Sequence, residues 1–508
     1  AVSVLSLLAV PTLMASENWD DHDRSNRYTS HLNAKAYLDS CDNNGILFTI
    51  GDNDTFPLWY MQEVEGFKTG MKLVNTSLFQ TDWYIDQMKR KAYDSDPVPS
   101  QLTHDQYKYG TRDYIIKEPV ITDTLDIKEF LNFITSDNPR TKYKYVLEQQ
   151  GVDISGIRNQ DLNANYLPTE YLRLPVNKEN ALKYGIVNPK DADKIVADIV
   201  IKIKEGAIYK NRLLMLDIIA NNDWKRPIYF TGGSFGDDDY IWMKDYLQLD
   251  GMCYKLVPIR TPVDKANPFD MGRVDSDLMY EKVKNWDWGN SGSPDIYHDP
   301  ETRKNSISYR GNLARLIEQL INEDELDKAE EIADIAMTNM PVDYFGYYTL
   351  LEPYVSAYYE VGNKEKAQQL FKDKLALYLK DPIINIRILN FRISVLGEVR
   401  SPGRYEVSGE RITILEAVAL AGDLTIKGIR ENVMVIRDFN GTKTYTRVDL
   451  TNKELFNSPV YYLTQNDIVY VEPNTSAISS ASGDARIGLL TGIFSFVLST
   501  VLIFVTRR

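Results

Sequence analysis

Two short stretches concentrate the side chains most able to do chemistry. Glu17–Ser25 (ENWDDHDRS) sets Asp21, His22 and Asp23 in a row between Trp19 and Arg24, and Gly51–Phe56 (GDNDTF) supplies Asp52, Asn53 and Asp54. Three chemistries suit those residue types. Carboxylates and an imidazole are ligands for a divalent metal, although adjacent positions rarely all face one ion. Asp and Asn also hydrogen-bond sugar hydroxyls, with Trp19 or Trp59 as a stacking platform. His22 paired with a carboxylate could serve as a general base. Against these stands a plainer reading, in which Asp and Asn cap helices and Arg24 pairs with surface carboxylates. Asp82, at the expected start of a helix, joins the ligand candidates. No cofactor is expected beyond a divalent metal. GDNDTF lacks the ligand positions and glycine of an EF-hand, and TGGSFGDDD from Thr231 is too acidic to favour phosphate. His31, His104 and His298 show no evident partner and receive no role.

The elements that must position these residues alternate. Residues 33–40 suit a helix, and Ile46–Ile50 (ILFTI) a short strand. GDNDTF follows that strand, where open α/β sheets place their ligands. Pro57 suits the first turn of the next helix, with Asp54 or Thr55 as cap. A second strand in MKLVNTSLF and a helix opening near Thr81-Asp82 give βαβα, which favours a largely parallel sheet. The run from Asp191 to Glu205 reads as a charged helix. A helix in NRLLMLDIIANN and strands from Arg226 and Met252 complete the same sheet.

Beyond Gly311 the pattern turns helical and repetitive. LDKAEEIADIAM, with Ala329, is echoed by NKEKAQQLFKDKL, with Ala367, and an amphipathic run precedes each. The spacing predicts two tetratricopeptide-like helical hairpins separated by an expanded loop at 341–347. Past Asp381-Pro382 short strands, one helix (ITILEAVALAG) and a hairpin at Asn440-Gly441 predict a small α+β domain.

Length, charge and the two ends bound the rest. At 508 residues the chain exceeds a single core. Its net charge of -14 excludes a nucleic-acid partner, which would require clustered cations. Cys41 and Cys253 are too few for a disulfide framework and read as two buried thiols, with one disulfide as the alternative. Ala1–Met14 is apolar and reads as the remnant of a membrane helix. Ile487–Val505 is uncharged between Arg486 and Arg507-Arg508, and reads as a transmembrane helix.

VLGEVRSPGRYEV, TILEAVALAGDLT and YLTQNDIVYVEP together resemble the soluble-ligand-binding β-grasp domain of the polysaccharide export outer-membrane protein family. Gly397, the Pro402-Gly403 turn, Gly422 and Asp467 are the motif positions. This chain carries Asp423 where the family often has a second glycine, and Asn466 where it has the glycine of Gly-Asp. The resemblance implies polysaccharide as partner and a homo-oligomer or envelope export complex.

ENWDDHDRSNRYT, ILFTIGDNDTFPLWYMQEVEG and TDWYIDQMKRK resemble the soluble C-terminal region of bacterial protein O-mannosyltransferase-like membrane glycosyltransferases. That likeness implies that the catalytic carboxylate lies in an early loop this chain lacks, so the chain should not transfer sugar alone.

The expected organisation is therefore a membrane-helix remnant at 1–14, an α/β domain at 15–305 and helical repeats at 306–378. A β-grasp domain at 379–474, a linker at 475–486 and a transmembrane helix at 487–505 follow. The expected function is polysaccharide export at the cell envelope of a Gram-negative bacterium, with periplasmic soluble domains. The alternatives are a non-catalytic glycosyltransferase fragment and a helical-repeat scaffold for protein partners.

Overall fold

A computed structural model describes residues 2–234, 236–264, 270–376, 391–407, 411–439 and 442–474. The chain divides into two compact units, Ala1–Ile383 and Ile384–Arg508.

The first unit opens with α1 (Val2–His22), α2 (Thr29–Asp39), β1 (Ile46–Thr49), α3 (Asp52–Glu63), β2 (Lys72–Asn75) and α4 (Asp82–Met88). After several short elements come α5 (Lys210–Asn222), β3 (Ile228–Thr231), β4 (Leu247–Asp250), β5 (Cys253–Leu256) and β6 (Arg273–Val274). One sheet collects the strands in the order β6-β4-β5-β3-β1-β2. β1 is an interior strand, parallel to both β2 and β3. Every residue of these three strands is buried, which is why ILFT and IYFT are nearly unbroken apolar runs.

The sheet is mixed rather than largely parallel. β5 runs antiparallel to β3 and to β4. A two-residue turn at Gly251-Met252 forces that reversal, with Gly251 at a φ of +71°. A second expectation fails between Asp191 and Glu205. Pro189–Lys194 is a short 3₁₀ turn, and Asp198–Lys202 is a strand paired antiparallel with Tyr171–Pro175. Ile199 and Ile201 are buried while Val200 points to solvent, so the period of two in a β-branched run outweighs the spacing of the charges. Helix α3 also begins earlier than Pro57 suggests, at Asp52, which leaves Pro57 as its sixth residue.

The helical region contains α6 (Pro300–Asn322), α7 (Leu326–Asn339), α8 (Glu352–Glu360) and α9 (Lys364–Ala376). Asp299 caps α6, accepting from the N–H groups of Glu301 and Thr302 at 2.9 and 3.0 Å. The buried Ala329, Ala333 and Ala336 let α7 approach α6 closely, and Ala367 is buried in α9. Arg310 is fully buried and donates to the carbonyls of Met340 and Gly346, holding the expanded loop between the hairpins.

Leu7, Leu8 and Leu13 of α1 are exposed. Among the described residues no helix is long and apolar enough to cross a membrane. The expected membrane helix at Ile487–Val505 lies outside the described residues, as does the Asn440-Gly441 turn.

The second unit contains β7 (Arg392–Gly397), β8 (Gly403–Glu406), α10 (Ile414–Leu420), β9 (Gly428–Phe439), β10 (Thr442–Val448) and β11 (Ile468–Pro473). The sheet order is β8-β7-β11-β9-β10, with β7 and β11 parallel at its centre and the other pairs antiparallel. Ile393, Val395, Val433, Val435, Val469 and Val471 face Ile414, Ala417 and Val418 of the helix, forming one core. Thr413 and Glu416 cap α10 reciprocally: the Thr413 hydroxyl accepts from the Glu416 N–H, and the Glu416 carboxylate accepts from the Thr413 N–H.

Candidate functional site

The chain leaves β1 for β2 on one side and later returns to place β3 on the other. Such a reversal opens a crevice at the carboxyl ends of the strands. A cleft of about 550 Å³ lies there, between the ends of β1 and β3 and the first turn of α3. Asn53 and Asp54 line it, together with Gly232, Gly233 and Ser234 after β3, Asn33 and Tyr37 of α2, and Asn305 of α6.

Asp54 holds the cleft's walls together. Its carboxylate accepts from the N–H of Ile50 at 3.0 Å and of Gly51 at 3.3 Å, and from the Thr231 hydroxyl at 3.0 Å. It therefore ties the ends of β1 and β3 to the start of α3. Below it, the Thr55 hydroxyl donates to the Gly51 carbonyl at 2.6 Å and accepts from the Asn75 amide at 2.9 Å. Burial pushes the Tyr37 hydroxyl far above the usual phenol range, so it stays protonated. Asn33 Oδ1 is buried with no hydrogen-bond partner among the described residues.

The sequence candidates fall into separate places. Asn53 and Asp54 share the cleft, whereas Asp52 beside them is exposed. Asp82 accepts from the N–H groups of Trp83 and Tyr109, at 2.9 and 3.4 Å, at the start of α4. Trp19 is exposed near the end of α1, and His22 Nδ1 lies 2.9 Å from the Asn18 carbonyl. Asp23 accepts from the N–H and hydroxyl of Ser25, which lowers its pKa. Arg24 forms no ion pair among the described residues, so the expected Arg24–carboxylate pairing is not found; the side chain of Asp21 lies outside those described. Among the described residues no group of three or more His, Cys, Asp or Glu is arranged to hold a metal. Trp59 stacks on Phe56 with ring centroids 5.5 Å apart, and faces a different hollow beside Trp83.

Several contributors escaped the sequence reading. Asn33, Tyr37 and Asn305 come from distant helices, and only the fold brings them together. Gly232-Gly233 after a strand was a visible signal, weighed only against phosphate. His104 does have a partner, with Nδ1 3.0 Å from the Asp86 carboxylate. His298 stacks on Tyr344 at 5.0 Å and its Nε2 lies 2.9 Å from the Ser293 carbonyl. Cys41 and Cys253 are buried free thiols, and burial raises the pKa of Cys253.

In the second unit the motif residues are structural. Gly397 has a φ of +89°, and a Cβ there would meet the Val471 carbonyl oxygen at 2.0 Å. Gly422, at +79°, ends α10. Pro402 precedes β8, which Gly403 opens. Asp423 and Asn466 stand at φ of +71° and +67°. Asp and Asn are the non-glycine residues best tolerated there, so both departures from the family pattern keep its backbone. Asp467 is fully buried and pairs with Arg437 at 2.9 Å, while its carboxylate also accepts from the Thr464 N–H at 2.8 Å.

Comparison with known families gives two matches. Residues 30–278 match TMEM260-associated domain 2, and residues 392–471 match the SLBB domain. The second match coincides with the β-grasp sheet and helix and supports the polysaccharide-export likeness of the C-terminal part. The first is consistent with a soluble region that accompanies a membrane glycosyltransferase.

Proposed function

We infer that the chain is a cell-envelope protein that takes part in polysaccharide export, with residues 392–471 as its polysaccharide-binding module. The observation that carries this reading is the SLBB match over the described β-grasp core. In this reading the module forms part of a periplasmic conduit as a homo-oligomer or within an export complex. A membrane segment at 487–505 anchors it, and the first unit is a glycosyltransferase-associated region in front. Co-sedimentation of the full chain with surface polysaccharide from the native host tests binding. With excess methyl glycosides present to occupy any site for small neutral sugars, the full chain should pellet with the polymer and a chain ending at residue 383 should not. Equal behaviour of the two would refute the assignment.

The match over residues 30–278 favours a second reading, in which the chain is the non-catalytic C-terminal part of a membrane protein O-mannosyltransferase-like glycosyltransferase. Calorimetry of the full chain with peptide acceptors and lipid-linked sugars discriminates between the two. Heat from those ligands, with no retention on polysaccharide, selects the second.

A further inference from the structure

The lining of the cleft between β1 and β3 is almost without charge. Its polar side chains are three amides, Asn33, Asn53 and Asn305, and two hydroxyls, Tyr37 and Ser234. No Lys, Arg or His occurs among its described lining residues, and its single charged group, Asp54, is occupied with two backbone N–H groups and Thr231. Ala34, Pro57 and Leu58 give an apolar wall. The volume falls within the roughly 300–1,000 Å³ of small-ligand sites.

Each ligand class makes a different demand on such a surface. A phosphate or carboxylate needs a cation, or several N–H groups free of nearby acid; here, among the described residues, no cation lines the cleft, Asp52 and Asp54 occupy the first turn of α3, and Lys204, Lys244 and Arg212 are already paired with Asp237, Asp238 and Asp239 after the glycine turn. An extended peptide needs an open strand edge, and β1 and β3 are both interior strands. A sugar hydroxyl donates and accepts at once, which is what amide and hydroxyl side chains also do. Oδ1 of Asn33 is buried with no partner among the described residues, so this amide at the cleft wall has unused hydrogen-bonding capacity. Asn53 adds an amide held by no side-chain hydrogen bond among the described residues, at the exposed start of α3.

We propose that this cleft is a second carbohydrate site, separate from the SLBB module, and that it takes an uncharged saccharide. Asn33, Asn53 and Asn305 read the hydroxyls, Tyr37 donates from the floor, and Pro57 and Leu58 cover the apolar face of the ring. Asp54 is a positioning residue, since it shapes the cleft through the backbone of Ile50 and Gly51. The site stands on the first unit alone and does not depend on the function of the module.

The test is saturation-transfer NMR and calorimetry on the full chain with methyl glycosides of glucose, galactose and mannose. Glucuronate, inorganic phosphate and an extended peptide serve as comparison ligands. At least one neutral glycoside should bind, and Asn53→Ala and Asn305→Ala should each weaken it by about tenfold or more. Tyr37→Phe, which removes one hydroxyl and little volume, should weaken it in the same direction. Phe456→Ala, on the module's surface, should leave that binding unchanged. Tryptophan emission verifies that each variant of the first unit is folded. Failure of all three glycosides to bind at about 10 mM would overturn the proposal. So would glucuronate, phosphate or peptide binding as tightly as the best glycoside. Loss of binding in Phe456→Ala but not in the asparagine variants would move the site to the module and overturn it equally.

Discussion

Replacing Asp467 with Ala separates a structural role from a ligand-binding one in the β-grasp module. The carboxylate is wholly buried and receives Nη2 of Arg437 at 2.9 Å, Nε at 3.1 Å, and the N–H and hydroxyl of Thr464 at 2.8 and 3.1 Å. Removing one partner of a buried pair costs roughly 3–5 kcal/mol, because the other charge is left without compensation. Arg437 is 18% exposed and keeps its bond to the Tyr462 carbonyl, so part of its charge still reaches water. We expect a loss of about 2–4 kcal/mol, a large share of a small domain's stability. All seven tryptophans lie between Trp19 and Trp288, so their emission does not report on this unit. Amide exchange in β11 does, and the loss corresponds to about 30- to 1,000-fold lower protection. The double variant with Arg437→Ala should lose less than the sum of the two single changes, by about 1–3 kcal/mol. A change in exchange below about fivefold, or strict additivity, would refute the reasoning.

Three further outcomes follow from the same geometry. Gly397→Ala should destabilise the module by about 2–4 kcal/mol, since its Cβ would strike the Val471 carbonyl, whereas Asp423→Gly should change stability by less than about 1 kcal/mol; amide exchange in β11 reads both. Asp54→Ala should lower the stability of the first unit by about 1–3 kcal/mol through three lost acceptor contacts, and the exposed Asp52→Ala by under about 0.5 kcal/mol, measured by urea titration of tryptophan emission. Asp217, buried in α5, is pushed up to about 6 by burial from 3.8. The folded chain therefore binds more protons than the unfolded one between about pH 4 and 6, so this group's contribution falls as pH rises through that window and is level above it. Relative to the native chain, Asp217→Asn should gain about 2–3 kcal/mol from pH 4 to 7, and a pH-independent difference would contradict it.

Much of the architecture was legible because local signals and tertiary demands agree. ILFT followed by GDNDTF reads as a buried strand and a helix start, and VLGEVRSPGRYEV carries its turns in Gly397, Pro402 and Gly403. The run at Asp198–Lys202 misled because its charges mimic a helical spacing, while burial of Ile199 and Ile201 on one face decides for a strand. The cleft was half visible. Asn53 and Asp54 are adjacent in sequence, but Asn33 and Asn305 meet them only through packing of α2 and α6, which no local pattern encodes. The roles of Asp423 and Asn466 became clear only from their left-handed backbone, and the pairing of Asp467 with Arg437 spans 30 residues.

The most direct test of a role in polysaccharide export is deletion of residues 383–508 in the native host, followed by quantification of surface polysaccharide. The account predicts that the polymer is lost from the cell surface and restored by the full chain. Unchanged surface polysaccharide in the deletion strain would contradict it.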